Sequence, residues 1–93
     1  MPRIQRKFPG RSAQEIYRRV DQVMERIAGE MSLDYRTDEE GRTGKVGRMG
    51  ISGTYAVREG EVTVDLAYPM LVPGALRRKV EERIEEKLDG LFA

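Results

Sequence analysis

The clearest pattern in the chain is a pair of alternating segments on either side of a short polar turn. Apolar and polar residues alternate from Ile51 to Val57 and again from Val62 to Tyr68, a period of two that is typical of strands with one buried face. With Glu59-Gly60 as the turn, apolar positions lie opposite apolar ones and polar opposite polar. Within residues 50–73 we therefore predict a β-hairpin with these cross-strand pairs: Val57 with Val62, Tyr55 with Val64, Gly53 with Leu66, and Thr54 with Asp65.

The residues before the hairpin predict an edge strand followed by a long helix. An imperfect alternation from Pro2 to Phe8 predicts a short strand whose charges suit a sheet edge, and Pro9-Gly10 ends it. Ser12-Ala13-Gln14-Glu15 has the sequence of a capping box, so a helix is expected to begin there. Its apolar residues recur at spacings of three and four and form one stripe: Ile16, Val20, Val23, Met24, Ile27, Ala28 and Met31.

Two further strands are predicted between this helix and the hairpin. A strand runs from Leu33 to Thr37, and the acidic segment 38–41 predicts a turn after it. Because glycine in strands marks bends and close approaches, we interpret the glycines that follow as a strongly curved sheet, in which Gly53 makes room for Tyr55, Leu66 or a helix side chain. The alternative is a backbone surface kept bare for a ligand. These glycines recur at every third residue: Gly44, Gly47, Gly50 and Gly53.

The last part of the chain predicts an apolar connector and a second helix. The connector, Tyr68 to Gly74, is unusually apolar for a loop, and the helix begins at Pro73 or Gly74. Its stripe consists of Leu76, Val80, Ile84, Leu88, Leu91 and Phe92. The order β-α-β-β-β-β-α predicts a single α+β domain over residues 1–93, with one curved, mainly antiparallel sheet and both helices packed on its apolar face. The other, solvated face would carry Ser52, Thr54, Ala56, Thr63, Asp65 and Ala67.

Composition restricts the chemistry that this domain can perform. The chain has 93 residues and contains neither histidine nor cysteine. This removes the usual general base, the commonest metal ligand and the histidine-assisted nucleophiles. We therefore expect a protein that is not an enzyme and that uses no metal and no cofactor. A domain of this size has a modest core, and a homodimer through the exposed part of the second helix would bury more surface; that assembly is left open.

Net charge and hydropathy limit the classes of partner and the cellular location that we expect for this protein. The net charge is +1 with 35% charged residues, which is far from the basic balance of a nucleic-acid-binding protein, so no specific nucleic-acid partner is expected. The acidic turn 38–41 lacks the spacing of a calcium loop and is interpreted as solvated. The charges in residues 1–19 and the short apolar segments elsewhere predict neither export nor a transmembrane segment. With no cysteine, a cytoplasmic location fits.

Two groups of residues are the best candidates for contacts with other molecules. The first is an apolar set that either caps the core or forms an exposed lip for protein, lipid or polymer: Tyr68, Met70, Leu71, Val72 and Phe92. The second is the cationic start of the second helix, which would hold an anion there: Arg77, Arg78 and Lys79. The alternative for these cations is a solvated face with i,i+4 ion pairs, Arg77 with Glu81 and Arg78 with Glu82.

Several segments also resemble the polyhydroxyalkanoic acid system protein family over nearly the full length. They are Met1-Pro2-Arg3-Ile4, Leu33-Asp34-Tyr35, Gly50-Ile51-Ser52-Gly53-Thr54, Val62-Thr63-Val64, Leu71-Val72-Pro73-Gly74, and the helix from Ile84 to Leu88-Asp89. The resemblance implies a bacterial, cytoplasmic accessory protein at or near polyester storage granules, with the granule surface or granule proteins as partners. The order of elements is also similar to a reduced helix-grip fold, and by analogy this suggests a small apolar or acyl ligand between the sheet and the second helix.

Overall fold

The residues that the structure describes form five strands and two helices in the predicted order. The computed structural model describes residues 3–48 and 50–92. The elements are β1 (Arg3–Lys7), α1 (Ala13–Met31), β2 (Asp34–Asp38), β3 (Thr43–Arg48), β4 (Ile51–Arg58), β5 (Glu61–Ala67) and α2 (Gly74–Asp89). Pro2, where the first predicted strand begins, and Met49, in the glycine-rich segment, lie outside the described residues, as do Met1 and Ala93.

The strands form one open sheet in the order β1-β5-β4-β3-β2, and every neighbouring pair is antiparallel. The predicted register of the hairpin is confirmed at all four pairs: Val57–Val62, Tyr55–Val64, Gly53–Leu66 and Thr54–Asp65. Arg58 pairs with Glu61, so Glu59-Gly60 is the turn, and Gly60 has the positive φ of 69° that such turns favour. The α+β class and the edge position of β1 are also confirmed.

Helix α1 is fixed at both ends by local hydrogen bonds. The Ser12 hydroxyl accepts from the Glu15 backbone N–H at 3.2 Å, which is the predicted N-terminal cap. The Glu15 carboxylate accepts from the guanidinium of Arg11 at 2.9 Å. The helix ends at Ser32, which has a left-handed conformation with φ 55°. The N–H of Leu33 then donates to the carbonyl of Ala28 at 2.8 Å, so the chain reverses into β2.

Both helices pack on the same face of the sheet and share one core with it. The buried residues are Ile4, Ala13, Ile16, Tyr17, Val20, Met24, Ile27, Ala28, Tyr55, Val57, Val62, Val64, Leu66, Ile84, Leu88 and Leu91. In α2 these are confined to the second half, while Leu76 is 40% exposed and Val80 is partly exposed. The opposite face carries the six predicted small and polar residues, and each of them is exposed or half-buried.

Three of the four regularly spaced glycines each lie against a different side chain. A Cβ atom on Gly44 would lie 2.2 Å from the ring of Tyr55, its cross-strand partner. A Cβ on Gly53 would lie 3.0 Å from Leu66, so the prediction that Gly53 makes room for Leu66 is confirmed. Gly50 has a φ of 87° and lies against Pro69. These glycines are therefore required for separate steric reasons, although they recur at a regular spacing.

Candidate functional site

Four large apolar side chains remain exposed among the described residues, at the end of the molecule where α1 stops and α2 starts. Met70 and Leu71 are each 92% exposed, Met31 is 42% exposed and Leu76 is 40% exposed. Met31 and Leu76 line one cavity, and the loop with Met70 and Leu71 leads directly into α2. We call these four residues the apolar end. Adjacent exposed apolar side chains of this size are a feature of contact surfaces.

The loop between β5 and α2 is braced so that Met70 and Leu71 project from it. The N–H of Val72 donates to the carbonyl of Pro69 at 3.2 Å and closes a tight turn around the two residues. The Tyr68 hydroxyl shares its one proton between two acceptors on α2, the carbonyl of Arg77 at 3.4 Å and the Glu81 carboxylate at 3.3 Å. Tyr68 and Val72 are half-buried. Of the predicted lip residues, two are therefore presented to solvent and two hold the loop in place.

Phe92, the fifth predicted lip residue, lies far from the others. Helix α2 has 16 residues and is roughly 24 Å long, and the loop precedes its start while Phe92 follows its end. The ring of Phe92 packs edge-on against Phe8, with centroids 5.2 Å apart. The guanidinium of Arg11 lies 4.4 Å from the same centroid and that of Arg19 lies 5.5 Å from it. Through these aromatic and cation–π contacts, Phe92 packs the segment after α2 against the segment that follows β1 and against α1.

The three cations at the start of α2 have different surroundings. The guanidinium of Arg77 lies 5.4 Å from the ring centroid of Tyr68, whereas Arg78 and Lys79 are exposed. In the described ranges, the ion pairs within 4.0 Å do not include Arg77 with Glu81 or Arg78 with Glu82. The anion contact remains a prediction, and its three residues lie beside the apolar end.

An apolar cavity of about 80 Å³ lies beneath the apolar end, between α1, the sheet and α2. Its walls include Ile27 of α1, Leu66 of β5 and Ile84 of α2, and Gly53 leaves backbone exposed to it. Sequence reasoning placed a ligand between sheet and α2 only by analogy. The one direct indication of a ligand in the sequence was the alternative interpretation of the glycines as a backbone surface kept bare for it.

A groove of about 530 Å³ between the two helices adjoins this cavity, and four side chains line both: Met31, Leu76, Val80 and Arg83. The groove has a charged rim. Across it, Nη2 of Arg83 on α2 donates to Oε2 of Glu30 on α1 at 2.8 Å. This hydrogen bond lowers the pKa of Glu30, because it stabilises the ionised carboxylate.

Sequence reasoning also missed a network of tyrosine hydroxyls on the other side of the core. The Tyr35 hydroxyl donates to the Asp21 carboxylate at 2.7 Å and lies 2.6 Å from the Tyr55 hydroxyl. The Tyr17 hydroxyl bonds to that of Thr37. Burial raises the pKa of both Tyr35 and Tyr55, because it disfavours the charged phenolate. The network ties α1 to β2 and β4, and we assign it a structural role.

Tyr68 makes the stability of the fold sensitive to alkaline pH. Burial and the neighbouring Glu81 carboxylate raise the pKa of Tyr68 from 10.0 to about 12. Between these values the unfolded chain has released the phenolic proton and the folded chain still holds it. Unfolding therefore releases a proton, and the free energy of unfolding falls as pH rises from 10 to 12.

We expect Tyr68→Phe to lose less stability over this interval than the wild type. The measurement is urea denaturation at pH 9, 10 and 11, with the difference between the two proteins followed against pH. All other ionisable groups, Tyr35 and Tyr55 included, are the same in both proteins, so their contribution cancels in this difference. Parallel pH profiles would show that the Tyr68 proton is not retained on folding.

Comparison with known proteins gives the family of the chain. A family model described as "Putative polyhydroxyalkanoic acid system protein" matches residues 4–92. Neither the search of curated proteins nor the search of solved structures gave a match, so the likeness to the helix-grip fold stays a prediction. Neither α1 nor α2 is long and apolar enough to cross a membrane, and the described residues contain no cluster of three acidic side chains that could hold a metal ion. The chain belongs to the polyhydroxyalkanoic acid system protein family.

Proposed function

We propose that this protein is a non-enzymatic accessory protein of the polyhydroxyalkanoate storage system, which associates with granules or their proteins through the apolar end. The observation that carries the proposal is the pair Met70 and Leu71, each 92% exposed on a braced loop. Family membership supplies the polyester system as the context. The protein would act in the bacterial cytoplasm, where such granules are stored.

The physical argument rests on the free energy of burying the two side chains. Transfer of a leucine or methionine side chain from water to an apolar surface contributes about 1.5–3 kcal/mol. Because the turn at Pro69–Val72 and the Tyr68 contacts already fix the loop, little conformational entropy is lost on contact. The exposed cations Arg78 and Lys79 lie beside this surface, where they would meet anionic groups at the granule rim.

Partition between buffer and polyhydroxyalkanoate particles tests this proposal. We expect the wild type to bind and Met70→Asp plus Leu71→Asp to bind at least tenfold more weakly. Because both side chains are exposed, the free energy of unfolding of this double variant should change by no more than about 0.5 kcal/mol. Urea denaturation checks that expectation before the binding comparison.

The matched control is Gln5→Glu plus Gln22→Glu. It changes the net charge by the same two units at exposed positions away from the apolar end. This control should bind like the wild type. A wild type that stays in solution, or a double aspartate variant that binds equally well, would contradict the proposal. A homodimer through the exposed part of α2 would compete for this surface, so sedimentation of the free protein accompanies the assay.

The cavity favours a second candidate function, a binding module for a small apolar or acyl ligand between the sheet and α2. Its support is the apolar space of about 80 Å³, whose walls include the buried core residues Ile27, Leu66 and Ile84. Native mass spectrometry of the purified protein would detect a retained lipid or acyl compound. A mass equal to that of the chain alone would count against a tightly held ligand.

A further inference from the structure

We propose that the cavity receives the end of a straight aliphatic chain, whose polar part stays outside in the groove between α1 and α2. The inference rests on the second candidate function and specifies the chemistry of its ligand. It also connects that function with the first, because the groove opens at the apolar end. A chain end that protrudes from a polymer or lipid surface could then enter the cavity while Met70 and Leu71 contact the same surface.

The walls of the cavity determine the polarity of its ligand. The side chains around it are nearly all aliphatic or methionine, and they offer almost no polar surface. A hydroxyl, ester or carboxylate inside would lose its bonds to water and find no replacement, which is strongly unfavourable. The groove outside has a charged, solvated rim that includes Glu30, Lys79 and Arg83. Only the apolar end of an amphipathic molecule therefore fits within.

The volume determines the size and shape of the part that enters. A cavity of about 150 Å³ with apolar walls admits benzene, and the cavity here, about 80 Å³, has roughly half that volume. An aromatic ring or a whole fatty-acyl chain is therefore too large for it. The end of a straight chain is the slimmest apolar group and needs room for only a few methylene groups. Such a group would restore the packing contacts that the void removes from Ile27, Leu66 and Ile84.

The entrance is formed by parts of the molecule that can move at low cost. Met31 is the last residue of α1 and Leu76 lies in the first turn of α2, and both are partly exposed beside the groove. The Arg83–Glu30 ion pair crosses the groove with both side chains open to solvent, so water can replace it. The first half of α2 has no buried side chain. Separation of the helices at this end displaces the partly buried Val80 but neither of the two buried side chains of α2, Ile84 and Leu88.

Titration with hexan-1-ol, followed by NMR of the side-chain methyl groups, tests the site without any particle. We expect saturable shifts at Met24, Ile27 and Ile84, which line the cavity. Hexane-1,6-diol is the matched control, since it has the same length but would have to bury a hydroxyl. It should produce no saturable shift at these methyls. Equal responses to both compounds, or shifts confined to Met70 at the surface, would overturn the proposal.

Val80→Phe should abolish the response to hexan-1-ol, because Val80 lines both the groove and the cavity. Should this variant not fold, Ile51→Phe fills the cavity from the sheet side. Loss of the response in the folded variant supports the site. An unchanged response places the alcohol elsewhere and overturns it.

The source of the chain is identified by partition of wild type and Val80→Phe onto two kinds of particle. One is bare polyester, and the other is the same polyester coated with phospholipid. If Val80→Phe binds bare particles more weakly than the wild type does, the aliphatic chain comes from the polymer. If it binds coated particles more weakly, the aliphatic chain comes from the lipid. Equal binding of both proteins to both particles would contradict entry from a surface. The titration with hexan-1-ol uses no particle. A cavity that binds no aliphatic chain and a protein that does not associate with granules are therefore distinguished by separate experiments.

Discussion

Gly44→Ala is expected to lower the free energy of unfolding by about 1–3 kcal/mol, although it adds a single methyl group. The added Cβ would lie 2.2 Å from the Tyr55 ring, well inside van der Waals contact. The ring cannot easily turn away, because Tyr55 is buried and its hydroxyl lies 2.6 Å from that of Tyr35. Tyr35 in turn donates to Asp21 on α1. The methyl group must therefore displace a strand or break this network.

Urea denaturation of Gly44→Ala and of a matched control measures the effect. Gly29→Ala is the control, since Gly29 lies within α1 and a Cβ there would meet no atom within 4 Å. That variant should be more stable than the wild type by up to about 1 kcal/mol, because alanine favours the helix. In a Tyr55→Leu background, Gly44→Ala should cost much less. A Gly44→Ala protein as stable as the wild type would show that the ring is free to move.

The hairpin was predictable from sequence down to its register, whereas the contact between Gly44 and Tyr55 was not. Within the hairpin, a two-residue turn and matched alternation leave a single register in which apolar residues face apolar ones. The pairing of β3 with β4 has no such restriction, because glycines occupy both strands. Sequence reasoning identified glycine as a sign of close approach and named Leu66, Tyr55 or a helix side chain as the neighbour of Gly53. Leu66 is that neighbour, while the contact of Tyr55 with Gly44 was not predicted.

The candidate site shows the same division between local and distant information. Met70 and Leu71 were identified because they interrupt a loop that should be polar, and this signal is local. Phe92 was grouped with them because it is apolar and terminal, but the length of α2 separates it from the loop. The cavity was reached only by analogy, since its walls come from α1, three strands and α2. How completely such distant residues fill the space between them cannot be predicted from any single segment of the sequence.

Leu88→Ala is expected to cost about 2–5 kcal/mol of the free energy of unfolding, and Leu76→Ala less than about 1 kcal/mol. Both leucines belong to the apolar stripe of α2, so the sequence pattern gives them equal weight. In the structure, Leu88 is fully buried and lies between Ile84 and Leu91, which are also buried. Leu76 is 40% exposed at the mouth of the groove. The difference in burial accounts for the difference in expected cost.

Hydrogen exchange along α2 connects this asymmetry with the proposed entry of an aliphatic chain. The amides of the first half should exchange through local opening, and those near Leu88 only through events close to global unfolding. Leu76→Ala should accelerate the first half alone, while Leu88→Ala should accelerate the whole helix. Uniform protection along α2 in the wild type would mean that the helix moves as one unit. The groove could then open only at the expense of the core around Leu88, and a chain end would have no low-energy route into the cavity.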